Sequence, residues 1–328
     1  MLVLILILVL TVVIFFIINR AVSRKHNAIC TSKQKLTEKI AVITGGTAGI
    51  GQEIALDFAT RGARVIIASP FEDEGNKARK EIIKKTGNED VVYKYLDLAS
   101  IQSIRKFAAD IHESEQKLHI LVNNAGVGIP GDFKTDDGMN FIMQVNYYGH
   151  FLLTLLLLPL LKKTGTQLEP SRIINMSSLT RFIASFDVDN YNRTGYWNLL
   201  RIYSNSKLSL VLFSHELTKK IAGQHVVINC ADPGFASTKI YESYVNFLGK
   251  IARVLINLIC KNTWEGAQTA IHMAVDQEAG KVSGQIFSNC EMNSSSMWND
   301  IDKLSEKLWK QSVKLVSIDE KEISKILS

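Results

Sequence analysis

The stretch that most constrains this chain is residues 40–68. Ile40-Ala41-Val42-Ile43 is a short, β-branched apolar run of the kind that forms a strand buried on both faces. It runs into Thr44-Gly45-Gly46-Thr47-Ala48-Gly49-Ile50-Gly51, after which Ile54, Ala55, Phe58 and Ala59 recur at helical spacing. Arg64-Val65-Ile66-Ile67-Ala68 then reads as a second buried strand. Strand, glycine turn, helix and strand make a βαβ unit, which commits the chain to a parallel sheet. Glycines let the backbone approach a pyrophosphate, and the helix N-terminus offers it free N–H groups. A glycine-rich turn without a ligand is the plain alternative, and the strand and helix on either side weigh against it.

The alternation continues. Residues 77–85 read as a helix, 91–96 as a strand ending at Asp97, and 101–113 as an amphipathic helix. A strand at 119–122 runs into Asn123-Asn124-Ala125-Gly126, and 141–161 is a long, very apolar helix. A strand at 173–176 closes on Ser177-Ser178, a helix spans 201–221, and a strand at 226–230 leads to Asp232-Pro233-Gly234. Gly284-Gln285-Ile286-Phe287 is a candidate last strand, and 301–316 a second amphipathic helix. This order predicts an α/β, Rossmann-type, doubly wound parallel sheet in a single domain over residues 38–328. With 328 residues, 46 % of them hydrophobic, such a domain can bury a large core. Ligands of these sheets bind at the carboxyl ends of the strands, where nearly every polar motif here falls.

One helix carries chemistry. Tyr203 and Lys207 are four apart and so share a helix face. A phenol titrates near ~10 and exchanges protons poorly at neutral pH. An adjacent ammonium favours the phenolate and makes tyrosine a usable general acid/base. Such a pair on an exposed helix is usually just solvated, so its weight comes from the glycine turn upstream.

Residues 1–19 contain no charged side chain and are almost wholly Leu, Ile, Val and Phe. At ~1.5 Å per residue such a helix just spans a ~30 Å hydrocarbon core. The run is long for a signal peptide, no Lys or Arg precedes it, and no small-x-small cleavage site follows. The expectation is a retained N-terminal membrane anchor helix, 1–19, and a basic juxtamembrane linker, 20–37. Residues 20–39 hold Arg20, Arg24, Lys25, Lys33, Lys35 and Lys39 against Glu38, five of the chain's six net positive charges. Positive flanks remain cytoplasmic and attract anionic head groups. This predicts a single-pass protein whose catalytic domain faces the cytosol, on the endoplasmic reticulum or a lipid droplet. The body of the domain is nearly neutral, so nucleic-acid binding is not expected. Cys30, Cys230, Cys260 and Cys290 are scattered without metal-ligand spacing, so no metal is expected and reduced, packed thiols are. The sequons Asn192-Arg193-Thr194 and Asn293-Ser294-Ser295 leave a lumenal orientation as the competing topology.

Across residues 38–290 these motifs together resemble the short-chain dehydrogenase/reductase family. The resemblance rests on Thr44-Gly45-x-x-x-Gly49-Ile50-Gly51, Asn123-Asn124-Ala125-Gly126, Asn146, Ser178, Tyr203, Lys207 and Pro233-Gly234-x-x-x-Thr238, all in family order. It implies an NAD- or NADP-dependent oxidoreductase. It implies that Tyr203 exchanges a proton with the substrate oxygen, that Lys207 lowers the Tyr203 pKa and binds the nicotinamide ribose, and that Ser178 hydrogen-bonds the reacting oxygen. Asn146 would hold a water linking Lys207 to solvent. Gly45, Thr47, Gly49, Ile50 and Gly51 would cradle the cofactor, Asp97 would bind its adenine, Asn124 would shape the pocket wall and Thr238 would touch the nicotinamide amide. Taken singly, Asp97 and Thr238 also read as helix caps, and Asn146 as a backbone-bonding residue.

The 25-residue separation of Ser178 and Tyr203 resembles the retinol dehydrogenase branch, as do Lys134-Thr135-Asp136-Asp137-Gly138, Gly149-His150-Phe151-Leu152-Leu153-Thr154 and Gly266-Ala267-Gln268-Thr269. Val65-Ile66-Ile67-Ala68, Asp97-Leu98-Ala99-Ser100 and Ala231-Asp232-Pro233-Gly234 resemble the X-linked dehydrogenase/reductase type of polyprenol and dolichol metabolism. Both imply a hydrophobic isoprenoid alcohol or aldehyde as the small-molecule partner. The apolar segment near 240–262 reads as a substrate cover, or equally as a core helix or the contact of a homodimer. The second strand ends in Ser69-Pro70 where the retinol branch usually has the arginine for an NADP phosphate, and the acid that selects NAD is missing there too. The cofactor preference and the direction of reaction therefore stay open. A cofactor-binding scaffold without turnover is the alternative, and the intact Ser178, Tyr203 and Lys207 argue against it.

Overall fold

The computed structural model describes residues 27–234, 261–293 and 300–328. Strands β1 (Ile40–Thr44), β2 (Arg64–Ser69), β3 (Val91–Tyr95), β4 (Ile120–Asn123), β5 (Ser171–Met176), β6 (Val226–Asp232), β7 (Ile286–Ser288) and β8 (Glu291–Asn293) form one sheet. Their order is β3-β2-β1-β4-β5-β6-β7-β8. Every neighbouring pair is parallel except β7 and β8. The chain winds outward from β1 to β3, returns, and winds outward again from β4. The topological switch point is thus the crevice between β1 and β4, at whose carboxyl ends a ligand of such a sheet sits.

The helices are α1 (Gly49–Thr60), α2 (Glu72–Thr86), α3 (Ile101–Ser114), α4 (Phe141–Thr164), α5 (Leu199–Lys220), α6 (Thr263–Val275), α7 (Ile301–Leu315) and α8 (Glu320–Leu327). Alternate strand residues feed two cores. Val42, Ile66, Leu121, Ile173 and Ile228 face α3, α4 and α5, while Ile43, Ile67, Val122 and Ile174 face α1, α2 and α6. This is why the strand sequences are apolar at every position. By length and composition α4 could cross a membrane, yet it lies inside the first core, with Phe151, Leu152, Leu153, Leu157 and Leu158 fully buried.

The structure departs from the sequence pattern in three places. Helix α2 starts at Glu72, five residues earlier than its apolar period suggests. Glu72, Asp73 and Glu74 suit the positive end of the helix dipole, and Gly87 at φ 69° closes the other end. The antiparallel β8 is new. Asn289 and Cys290, at φ 50° and 58°, supply the left-handed pair that a tight hairpin needs. The short α8 was also not evident. The anchor expected at 1–19, the linker before residue 27, Thr238 and the 240–260 part of the apolar segment lie outside the described residues.

The rest of the linker is a strap against the domain. Leu36 is buried and its N–H donates to Arg61 O (2.9 Å) at the end of α1. Arg61 Nη1 donates to Ser32 O and Gln34 O, both at 2.8 Å. Further up, Cys30 N–H donates to Gln268 Oε1 (3.1 Å) and Asn27 Nδ2 to Glu265 Oε1 (3.3 Å), in the first turns of α6.

Helix α7 closes the first core through Trp309, edge-on to Phe151 at 5.1 Å and stacked on Phe213 at 6.1 Å. Replacing Trp309 by Ala should cost roughly 3–5 kcal/mol, the usual loss for a buried aromatic. Denaturant unfolding measures it, and an unchanged midpoint would mean that α7 is not part of the cooperative core.

Candidate active site

The site is built first from close backbone approach. Gly45 (φ 63°) lets the turn after β1 pass over β4, where a Cβ would stand 2.9 Å from Ala125 Cα. At Gly51 a Cβ would stand 2.3 Å from Gly45 O, so the turn and the first residues of α1 are in contact. Asn124 braces the turn, its Nδ2 donating to Thr44 O (2.9 Å) and Gly45 O (3.3 Å). The start of α1 has no side-chain cap, which leaves its N–H groups for a ligand. Thr47 lies within this turn. At Gly49 (φ 59°) a Cβ would meet nothing within 4 Å among the described residues, so the space over the turn is open and a pyrophosphate fits there against the N–H groups of α1.

A buried polar chain joins the turn to α4. Thr44 Oγ1 accepts the N–H groups of Asn124 (2.9 Å) and Ala125 (3.0 Å) and lies 2.8 Å from His150 Nε2. His150 Nδ1 is 3.1 Å from Asn146 O, which can only accept. The proton is therefore on Nδ1, and Nε2 accepts from Thr44. Burial lowers the His150 pKa to about 3, which keeps this tautomer uncharged. Asn146 itself sits in a π-helical turn, Gln144–Tyr148, a feature common at functional sites. Its Oδ1 accepts from Val127 N (2.8 Å), and its Nδ2 donates to Val127 O and Ser206 Oγ, both at 3.0 Å.

Helix α5 brings Tyr203 and Lys207 to the same place. Lys207 Nζ donates to Met176 O at the end of β5 (2.9 Å) and lies 5.7 Å from the centre of the Tyr203 ring. Burial lowers the Lys207 pKa to about 8. Gly126 separates Lys207 from Asn146; a Cβ there would stand 3.5 Å from Lys207 Nζ and 3.3 Å from Asn146 Oδ1. Ser177 Oγ donates to Lys207 O (2.9 Å), tying α5 to β5.

Ser178 follows directly and caps a 3-10 turn, Leu179–Ile183, its Oγ accepting from Thr180 N (3.2 Å). Arg181, on this turn, forms a fully buried ion pair with Asp232 at the end of β6 and donates to Ser178 O (2.9 Å). The other Asp232 oxygen accepts from Gly234 N (2.9 Å). Arg181 thus couples the Ser178 segment to the Pro233-Gly234 strand end. Neither this pair nor the role of His150 was recognised from sequence, although Asp232 and His150 both stood within the quoted motifs. The 25-residue gap is an ordered loop. Asn205 Oδ1 accepts from Ser185 N (2.8 Å), Arg201 Nη1 donates to Ile183 O (2.6 Å) and Trp197 Nε1 to Asn190 O (3.0 Å).

Of the expected site residues, Gly45, Gly49, Ile50, Gly51, Asn124, Asn146, Lys207 and Ser178 all lie on the carboxyl ends of β1, β4 and β5 or on segments bonded to them. Asp97 lies two residues past the end of β3 at Tyr95, outside this group. Its Oδ1 accepts from Ala99 N (2.8 Å), while Ser100 caps α3. Among the described residues no acidic, His or Cys cluster could hold a metal.

Comparison with known proteins agrees with this geometry. Residues 39–247 match the short chain dehydrogenase family. The chain is 38 % identical over 290 residues to retinol dehydrogenase 12 of Bos taurus, covering 88 % of this chain and 90 % of that one. It is 36 % identical over 284 residues to polyprenol dehydrogenase of Homo sapiens, covering 86 % of each. Among solved structures, a Pseudomonas aeruginosa RhlG/NADP active-site complex superposes with a TM-score of 0.62 at 25 % identity, over 78 % of this chain and 96 % of that one.

Two outcomes follow from the buried charges. Lys207 binds fewer protons folded than unfolded between pH 8 and its usual value near ~10.4, so its burial penalty is full below pH 8 and fades above it. Melting curves of wild type and Lys207→Met should therefore shift in favour of wild type as pH rises from 8 to 10, and a constant difference would contradict the lowered pKa. Asp232→Asn should cost about 3–5 kcal/mol by stranding Arg181. The double replacement R181M/D232L should recover most of that in denaturant unfolding, and no recovery would mean that the pair is not the source of the loss.

Proposed function

We propose, for a chain that belongs to the short-chain dehydrogenase/reductase family and is an NAD(P)-dependent oxidoreductase, that it interconverts a hydrophobic isoprenoid-type alcohol and aldehyde. The carrying observation is the buried Lys207 one turn from Tyr203, beside a cradle that only glycines allow. Gly45, Thr47, Gly49, Ile50 and Gly51 would hold the pyrophosphate of NAD or NADP, with Lys207 at the nicotinamide ribose, Asn124 shaping the pocket wall beside the turn and Asp97 toward the adenine. Thr238 would complete that set. When bound, the cofactor supplies the hydride acceptor or donor.

The chain supplies proton handling. The Lys207 ammonium favours the Tyr203 phenolate, so the phenol oxygen takes the proton of an alcohol or returns it to a carbonyl near neutral pH. Its own pKa of about 8 lets Lys207 pass protons in the same range. The Ser178 hydroxyl donates to the reacting oxygen where charge develops. Asn146, fixed on both sides by Val127 and Ser206, holds its π-helical turn beside Lys207, in keeping with a water-mediated path from Lys207 to solvent.

The loop between Ser178 and Tyr203 favours a greasy substrate. Phe182, Ile183, Phe186, Tyr196 and Leu200 are all at least 46 % exposed, and large side chains of this kind lose little by meeting an apolar chain. The names of the relatives, retinol and polyprenol dehydrogenases, point the same way. We further propose that residues 1–19 anchor the protein as a single pass, with the catalytic domain on the cytosolic side of an endoplasmic reticulum or lipid-droplet membrane.

Tyr203→Phe should lower kcat with retinal, farnesol or a polyprenol by 10²-fold or more, the usual range for a general acid/base, while circular dichroism and the melting point stay unchanged. Turnover retained in Tyr203→Phe would remove the assigned role, and failure of the wild type to turn over any isoprenoid with either cofactor would remove the substrate class.

A further inference from the structure

The strap fixes which edge of the domain the N-terminus leaves from. It starts at Leu36, beside the end of α1, and climbs to Asn27, which bonds Glu265 in the first turn of α6. The starts of α6 and α1 stand side by side, with Thr263 Oγ1 donating to Glu53 Oε1 at 3.4 Å. Lys261, just before α6, packs on Gly234 at the end of β6, its Cε 3.4 Å from where a Gly234 Cβ would be. Asn27 is therefore at the carboxyl edge of the sheet, the edge on which the glycine turn, Ser178 and the Pro233-Gly234 strand end lie. Seven residues separate it from Asn19, and the eight steps between the two reach at most about 29 Å when extended.

The same edge is apolar where the domain meets solvent. Ile29 on the strap and Trp264 on α6 are 49 % and 45 % exposed, and Phe182, Ile183, Phe186 and Leu200, on the segment that leaves the same edge after β5, are exposed as well. Arg20, Arg24 and Lys25 lie within the short connection.

We propose that this carboxyl edge is a membrane-docking surface, and that the strap holds the active-site mouth against the bilayer so that a lipid-dissolved alcohol enters without crossing water. This rests on the anchor reading of residues 1–19. A bilayer spanned by them lies within about 29 Å of Asn27. At that range a tryptophan and scattered aliphatic side chains suit the interface, and the basic connection suits anionic head groups. The strap matters because a free linker of the same length would let the domain tumble with any edge toward the lipid.

Full-length protein in nanodiscs of brominated phosphatidylcholine and phosphatidylserine tests this. An added tryptophan at Phe186 (F186W) should contribute emission that bromolipid quenches at least twofold. Trp264→Phe should remove quenched emission, and a tryptophan added at exposed Lys117, before β4 on the opposite edge, should contribute unquenched emission. An unquenched Phe186→Trp increment, or equal quenching of the Lys117→Trp increment, overturns the proposal. So does protection of Phe186→Trp that depends on protein concentration in detergent, which would assign the edge to a second copy of the chain. Turnover of farnesol by the wild type in detergent is measured alongside; its absence would count against the substrate class without bearing on the quenching.

Discussion

The ammonium of Lys207 is the group around which the site is organised. A cation this deeply buried carries a large desolvation cost, and among the described residues its hydrogen bond is to one carbonyl, Met176 O. A pKa brought down to about 8 is the signature of that incomplete compensation. The same shortfall is useful. An ammonium fully satisfied by a carboxylate would be locked in its charged form and would have less field to lend to Tyr203. The groups that flank it across Gly126, Asn146 Oδ1 and the Gly126 backbone, are neutral.

Two polar connections keep that under-compensated charge in register. Thr44, His150 and Asn146 run from the glycine turn across β1 to α4, with Val122 O (3.4 Å) as a second, longer acceptor for the Thr44 hydroxyl. Thr44 accepts two N–H groups and donates to His150, which must then donate from Nδ1 to Asn146. The Arg181–Asp232 pair connects the Ser178 turn with the end of β6 on the other side of β5. Both are buried. A buried network costs little only when its members are satisfied; the first meets this, whereas in the second Arg181 Nε is buried with no hydrogen-bond partner, so that pair carries a residual cost. The strands that carry these residues are fixed by the two apolar cores. The site therefore inherits the rigidity of the sheet, although most of its members sit on turns.

Much of this was legible in the chain. Runs such as Val65-Ile66-Ile67-Ala68 are short, β-branched and bounded by turn residues, which favours strands covered on both faces over a buried helix such as α4, so the parallel sheet and its two layers followed from sequence. The glycine spacing and the Tyr203–Lys207 interval carried the site because each depends on local geometry. What did not follow depends on partners far along the chain. Arg181 and Asp232 are 51 residues apart, and Thr44 and His150 are 106. No local period marks either pair. The hairpin at Asn289-Cys290 was missed because left-handed backbone is seldom adopted by a cysteine. The early start of α2 was missed because its first turn is stabilised by charge at the helix end and not by an apolar stripe.

Hydropathy alone cannot separate α4 from residues 1–19, since both are long and apolar enough to span a bilayer. The difference lies in what interrupts them. Helix α4 carries Gln144, Asn146, His150 and Thr154, and each has a partner inside the domain; Gln144 Nε2 donates to Asp137, and Thr154 accepts from Asn123 Nδ2 at 2.8 Å. In hydrocarbon these groups would have to find partners on other helices or remain unsatisfied. Residues 1–19 hold Thr11 and Asn19 as their polar side chains, and a threonine can bond its own helix backbone. An apolar segment whose polar residues demand distant partners belongs in a folded core, and one whose polar residues demand none is free to meet lipid. By that criterion α4 belongs to the folded core, and the composition of residues 1–19 is the one that suits lipid, which is what the proposed anchor requires.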